Sequence, residues 1–403
     1  MPEILRLLEP ADQHQHSLLM SHAFGKGRVV EPPAADAEPG RHLAWTWGLF
    51  QDGRLLASAI VEPFEVCWPH PGPLPGGRIL PMGGIGGVAT WADARGKGLV
   101  ERLLRHSLET MRDQGLVVSN LYPFAFAFYK KLGWDWVGGK TIAKVPLREL
   151  PRRKPDGWTV ELLPVADARP VLEPLWNRNA STHRCAFPAT RHKWHDHRGN
   201  HDNRTPYVFV AKDPAGTPSG YLIWRYVDGG KGKVPVLVSS GADCDSVLLS
   251  LLRDLGTQCE TAEITLPEGF PLRAHLCHWD LKIGTNPEFQ GRVVDVGAAV
   301  RKLSPAPVGD GKAVVRVHDT HAPWNDGTWL FESSGGILDV RLVDNGPEPD
   351  LTAPITAFSQ VFYGYPALPT LERAGLIETR PGPGRDWLVQ LFPEAPVASW
   401  DGF

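Results

Sequence analysis

Apolar residues dominate short runs at Ile4–Leu8, His42–Phe50, Arg54–Val66 and Arg78–Thr90, which predicts four strands. Asp52-Gly53, between the second and the third, is a two-residue hairpin signal. A helix is expected over His14–His22, with Gly/Pro-rich loops over Gly25–Gly40 and Pro69–Gly77. After Thr90 the pattern changes. Leu99, Leu103, Leu104, Leu108 and Met111 share one face of a helix expected over Gly98–Gln114. Glu101 and Arg105 sit four residues apart on its exposed side. A strand over Leu116–Tyr122, a short helix over Ala125–Leu132 and a strand pair within Trp134–Leu147 follow. Pro151–Pro155 reads as a linker.

The middle of the chain repeats part of this pattern. Val234–Ser240 reads as a strand, Asp243–Leu255 as an amphipathic helix ending before Gly256, and Ala262–Pro267 as a strand. The same strand–turn–helix–Gly–strand order in both places suggests two related α/β units. The tail has an α+β character. Arg292–Ser304 reads as a strand running into a helix. Strands are expected over Ala313–His318, Thr328–Glu332, Ile337–Leu342 and Trp387–Leu391, and helices over Ile355–Phe362 and Ala367–Ala374.

A chain of 403 residues has room for two to four domains. Hydrophobic content of 42% is ordinary for packed cores. A net charge of −3 gives no overall field to gather nucleic acid or an anionic membrane, so any anionic ligand needs a local basic patch. Cys67, Cys185, Cys244, Cys259 and Cys277 are odd in number and widely spaced, which fits a reducing compartment rather than a disulfide framework. No signal-peptide core opens the chain, and no apolar run approaches the ~20 residues of a membrane helix. The expectation is a cytoplasmic protein with no nucleic-acid or membrane partner.

The most informative segment is Gly87–Val100. An apolar strand runs into a turn, and Arg95-Gly96-Lys97-Gly98 opens the helix that begins near Leu99. The free N–H groups and dipole of a helix N-terminus attract anions. Gly96 and Gly98 let a ligand come close to the backbone, and Arg95 and Lys97 add charge. A pyrophosphate fits such a turn; a plain glycine-capped strand-to-helix turn is the alternative. At the corresponding place in the middle unit stand Gly241-Ala242-Asp243-Cys244-Asp245, whose carboxylates would repel phosphate.

The strand–Arg-Gly-x-Gly–helix unit resembles the coenzyme A loop of GNAT acetyltransferases. Phe126-Ala127-Phe128-Tyr129-Lys130-Lys131-Leu132-Gly133-Trp134 resembles their Phe-Tyr-x-Lys-x-Gly-Phe segment. Met82–Ala89, Arg292–Val296, Pro323–Trp329 and the ending in Phe403 together resemble the enhanced-intracellular-survival (Eis) family, where bulky residues also occur at the Val100 place. The resemblance implies a GNAT domain at 1–150, a degenerate GNAT-like domain at 156–290 and a sterol-carrier-protein-like domain at 291–403. It implies amine acetylation with acetyl-CoA, no metal, and a homo-oligomer, often a hexamer.

Amide formation needs a neutral amine, a polarised thioester and a proton for the departing thiolate. The resemblance places Tyr129 as the acid; an unperturbed phenol near pKa 10 can protonate a thiolate. Backbone N–H groups on Ile85–Ala89, including Val88 and Ala89, can polarise a thioester carbonyl and pair with the pantetheine arm. Arg95, Gly96, Lys97, Gly98 and Leu99 would hold the phosphates. No Asp or Glu lies between Ile79 and Trp91. The resemblance supplies the α-carboxylate of Phe403 as the base, with Asp401 adding negative charge. His183, Cys185, His192, His195, His197 and His201 crowd the middle region without a zinc spacing, and no metal is expected. Trp45, Trp47 and Trp68 suggest an aromatic amine pocket or, more simply, core packing. The acceptor is then an amine on a small molecule, such as an aminoglycoside-like antibiotic or a metabolite, or on a peptide lysine. Two rivals remain: a biosynthetic acyltransferase using a longer or carrier-bound acyl group, and a non-catalytic lipid- or partner-binding protein.

Overall fold

The computed structural model describes residues 3–31, 43–69, 78–192, 194, 205–227, 229–267, 269–306, 308–344, 346–399 and 402. The first part contains β1 (Ile4–Leu7), α1 (Gln13–Ala23), β2 (Thr46–Gln51), β3 (Arg54–Trp68), β4 (Arg78–Thr90), α2 (Leu99–Asp113), β5 (Val118–Leu121), α3 (Phe126–Lys130) and β6 (Asp135–Pro146). The middle part contains β7 (Thr159–Leu163), α4 (Val165–Ala180), β8 (Tyr207–Lys212), β9 (Pro218–Val227), β10 (Lys231–Val238), α5 (Ala242–Leu255), β11 (Thr261–Leu266), α6 (Leu272–His275) and β12 (Lys282–Val293). The last part contains α7 (Val296–Arg301), β13 (Gly311–His318), β14 (Gly327–Ser334), β15 (Ile337–Leu342), β16 (Leu351–Pro354), α8 (Ile355–Tyr363), α9 (Leu368–Arg373), β17 (Glu378–Thr379) and α10 (Pro383–Leu391). Among the described residues no helix is long and apolar enough to cross a membrane.

Twelve strands form one sheet in the order β1-β2-β3-β4-β5-β12-β6-β11-β10-β9-β8-β7. The two halves mirror each other. β4 pairs parallel with β5, as β10 does with β11. The last strand of each half has crossed over: β12 pairs with β5, and β6 pairs with β11. β12 and β6 then pair antiparallel at the centre. The expected Trp134–Leu147 strand pair is therefore one strand, β6. Gly138 and Gly139 invite a turn, but here they make room: a Cβ on Gly138 would lie 2.9 Å from the Phe289 ring, and one on Gly139 2.4 Å from the Asn286 carbonyl oxygen.

The second sheet has the order β15-β14-β13-β16-β17. It is not a separate bead. Phe64, Val66, Trp68, Leu80, Met82 and Phe289 of the large sheet share one buried cluster with Phe331, Phe358, Phe362 and Phe392 of the last part. Ser359 Oγ on α8 accepts the N–H of Val293 at 2.9 Å, and Gln360 Nε2 donates to the carbonyl of Trp136 at 2.8 Å. The segment expected as a late strand, Trp387–Leu391, is the second half of α10. A five-residue apolar run does not distinguish the two periods, and Pro383 at the helix start supplies the deciding signal. α4 carries Pro170 and Pro174 inside it, which conceals it in the sequence.

Candidate active site

β4 and β5 pair only from Met82–Val118 to Ile85–Leu121. Beyond that they part. On its other side β4 carries a bulge: Ser58 faces Ala89 and Ile60 faces Gly86, so Gly87 and Val88 stand opposite the single residue Ala59. Gly87 takes φ +54, and a Cβ there would lie 2.8 Å from Ile60 Cδ1. A bulge turns its strand and leaves backbone groups unpaired. The result is a wedge whose β4 wall is Gly86–Thr90, with Val88 half-buried and Ala89 buried.

The basic loop opens at the end of this wall. Ala92–Ala94 make one 3₁₀ turn, Arg95 is extended, Gly96 takes φ +76, and Gly98 takes φ +71 as N-cap of α2. The first intrahelical bond runs from Arg102 N to Gly98 O, so the N–H groups of Leu99, Val100 and Glu101 have no partner within the helix. A Cβ on Gly96 or Gly98 would meet nothing within 4 Å. The glycines thus serve the left-handed backbone and leave the space above it open, while Arg95, Gly96, Lys97 and Gly98 are exposed and Leu99 anchors the turn in the core. Asp93 would oppose an anion here. Arg54 binds it in a two-pronged pair, 2.7 and 3.0 Å, and holds its carboxyl below the usual range. Sequence reading missed Arg54, which lies 39 residues away and carries no motif.

Tyr129 lies on α3, in one apolar cluster with Ile85, Leu121, Trp134 and the half-buried Val88 and Val100. It is 3% exposed, and burial pushes its phenol up to about 12. The hydroxyl makes no hydrogen bond among the described residues. Phe124 and Phe128 stand edge-on to its ring, with centroids at 5.5 and 5.1 Å. Gly133, just after α3, takes φ +97, and a Cβ there would lie 1.5 Å from Arg292 Nη1. We expect Gly133→Ala to cost at least about 3 kcal/mol, read by denaturant unfolding, because it strains the backbone and displaces a buried ion pair.

Phe403 and Asp401 lie outside the described residues, as do His195, His197, His201 and the loop stretches 32–42 and 70–77. The chain leading to Phe403 is well held. Arg184 N donates to Pro396 O at 2.9 Å and Ala398 N to Arg184 O at 3.1 Å. Tyr122, the residue following β5, donates its hydroxyl to Ser399 Oγ at 2.8 Å. Ser399 is thus anchored at the open end of the wedge. Glu62, buried on β3 opposite Gly84, is a carboxylate on the strand next to β4. Among the described residues no three His, Cys, Asp or Glu gather as for a metal. His183 bonds to Asn179 O at 3.0 Å, and His192 stacks on Trp176 at 3.8 Å. Trp68 is fully buried against Phe362 and Tyr363, and half-buried Trp47 packs on His106. Trp45 is also half-buried.

Known proteins share this fold. Residues 5–137 match an acetyltransferase (GNAT) domain, and residues 296–399 match a sterol carrier protein domain. An uncharacterized N-acetyltransferase of Streptomyces avermitilis is 27% identical over 333 residues, 77% of this chain and 78% of that protein. The chain is an acyltransferase with a GNAT domain and an Eis-like overall fold. A probable N-acyltransferase from Enterococcus faecalis superposes over the full length of both chains with a TM-score of 0.82 at 19% identity. Eis1 from Mycobacterium abscessus does so with a TM-score of 0.77 at 21% identity. The second half keeps the fold of the wedge but differs at its helix start. β10 and β11 part after Val234–Ile264, yet the helix that follows opens with Asp243 and a buried Asp245.

Proposed function

We propose that this enzyme holds acetyl-CoA in the wedge of its first half and transfers the acetyl group to a primary amine of a small molecule or a lysine side chain. The observation that carries this reading is one continuous path. The parted β4 edge at Gly86–Thr90 leads into an open, doubly left-handed glycine turn at a helix N-terminus, with Tyr129 in the cluster that lines the wedge. The residues present fit the cosubstrate: Arg95, Lys97 and the N–H groups from Gly96 to Leu99 would bind its phosphates. The edge of β4, at Val88 and Ala89, would hold its pantetheine arm. When bound it supplies an activated thioester carbonyl.

The chain's own part is placement and proton movement. N–H groups of the β4 edge are donors fixed in advance for a carbonyl oxygen that gains charge. Tyr129 keeps its proton throughout the neutral range and can give it to a leaving thiolate. The α-carboxylate of Phe403 is our candidate to accept the proton of the amine, with Asp401 drawing in a cationic acceptor. A lipid-carrying role fits less well. Phe331, Phe358, Phe362 and Phe392 fill the middle of the last part with centroids 6.0–6.4 Å apart, where a lipid would have to lie.

The test is Gly98→Asp. Asp tolerates the left-handed backbone better than most side chains, but its carboxylate would enter the phosphate space. We expect acetyl-CoA affinity to fall at least about tenfold by calorimetric titration. Unchanged affinity would place the cosubstrate elsewhere. A thiol-release assay over an amine panel then identifies the acceptor.

A further inference from the structure

β12 belongs by sequence to the second half, but it lies beside β5 of the first. It carries two polar side chains wholly closed to solvent, Gln290 and Arg292. Gln290 Nε2 donates to the carbonyl of Phe126 at 3.2 Å and to that of Trp134 at 3.0 Å. Arg292 Nη1 donates to the carbonyl of Leu132 at 2.6 Å, and Nη2 donates to Asp319 Oδ2 at 2.6 Å. Asp319 is fixed in turn by the N–H groups of His321 and Ala322 and by Asn325 Nδ2, each at 3.1 Å. Phe126 is the first residue of α3, and Leu132 and Trp134 lie in the turn just after it. The short helix that carries Tyr129 is therefore gripped at both ends, from a strand of the second half that is itself braced by the last part.

We infer that Gln290 and Arg292, with Asp319 behind them, are positioning residues that fix where the Tyr129 hydroxyl stands in the wedge; this rests on the reading of Tyr129 as the acid. Two physical arguments support it. A five-residue helix is too short to hold itself by its own hydrogen bonds. The grip is also a costly way to fill space. Gln290 Oε1 and Arg292 Nε have no hydrogen-bond partner among the described residues, and apolar side chains of the same size would be cheaper to bury. What apolar side chains lack is the means to bind carbonyls at both ends of one helix.

The test uses the full chain with Gln290→Met, which keeps the volume and removes both donors. Gln290→Glu, which keeps the shape and removes the amide, is the second variant should the first fail to accumulate. We expect amide exchange over residues 126–134 to quicken about tenfold while α2 is unchanged. We expect kcat to fall about 10- to 100-fold, the cost of a small misplacement of a catalytic group. KM for acetyl-CoA should move less than about twofold, because the phosphate turn is on another segment. Added to Tyr129→Phe, the substitution should lower kcat no further, since it acts through the lost hydroxyl. Unchanged exchange at 126–134 removes the grip. Raised exchange with unchanged kcat, or losses that multiply in the double variant, removes its bearing on Tyr129. If Tyr129→Phe alone is fully active, it is the acid reading that fails, and exchange in Gln290→Met still reports on the grip by itself.

Discussion

Tyr129→Phe is expected to lower kcat by about 100-fold while leaving acetyl-CoA affinity and thermal stability nearly unchanged. The structure makes this a clean substitution. The ring is buried between Phe124, Phe128 and the wedge cluster, and Phe keeps every one of those contacts. The hydroxyl has no hydrogen-bond partner among the described residues, so its removal orphans no donor or acceptor. The pH dependence follows from the same burial. A phenol pushed up to about 12 stays protonated well past neutral pH. Loss of the acid form should therefore leave no alkaline limb in kcat near pH 10, where an exposed tyrosine would give one. An alkaline limb near 10 that vanishes in the Phe variant would show the phenol to be unshifted. A fully active Phe variant would take the acid role away from Tyr129.

Removal of Phe403 should be nearly as damaging. Deleting one terminal residue is ordinarily harmless. Here the chain is pinned by Arg184 and Tyr122 as far as Ser399, at the mouth of the wedge. Phe403 stands four residues further on, a reach of at most about 14 Å. A terminus at Gly402 would hold its carboxylate about 3.5 Å short, and a shift of even ~1 Å can cost a catalytic group about 100-fold. We expect that loss in kcat, with acetyl-CoA affinity and melting temperature retained. A C-terminal tag should act alike, because it turns the carboxylate into an amide, while an N-terminal tag should do nothing. If the deleted and tagged enzymes both turn over normally, the terminal carboxylate is not the base. Glu62, buried on β3, is then the next group to substitute.

The open glycine turn before α2 was legible because its signals are local. Two glycines, two cations and a helix start occupy a few consecutive residues, and both glycines have the positive φ that such a turn requires. The Asp52-Gly53 hairpin was legible for the same reason, with φ of +52 and +77. Arg54, Gln290, Arg292 and Asp319 were not, because their partners lie 27 to 164 residues away in sequence. The Arg292–Val296 segment drew attention as part of a resemblance, but nothing in the sequence says which carbonyl a buried arginine will bind. The crossing of β6 and β12 was equally hidden. β6 reads as a strand pair and β12 is read only at its end, where Arg292–Ser304 opens the tail; pairing partners are settled by the sheet as a whole, not by the strand's own pattern.

That crossing bears on how such a chain could have arisen. Two subunits that trade their last strands form a swapped dimer, and swapping an identical element is a low-cost route to one. Joined end to end after gene duplication, such a pair would give the strand order found here, with each half completed by the other. In a chain of this descent the second copy is free to lose its own chemistry, as the acidic start of α5 suggests it has. Its removal would undo three pairings, because a fragment ending near residue 150 loses β12 from beside β5 and both β11 and β12 from beside β6. A duplicated domain kept for one strand would be expected to drift fastest at its former ligand turn and slowest along β12.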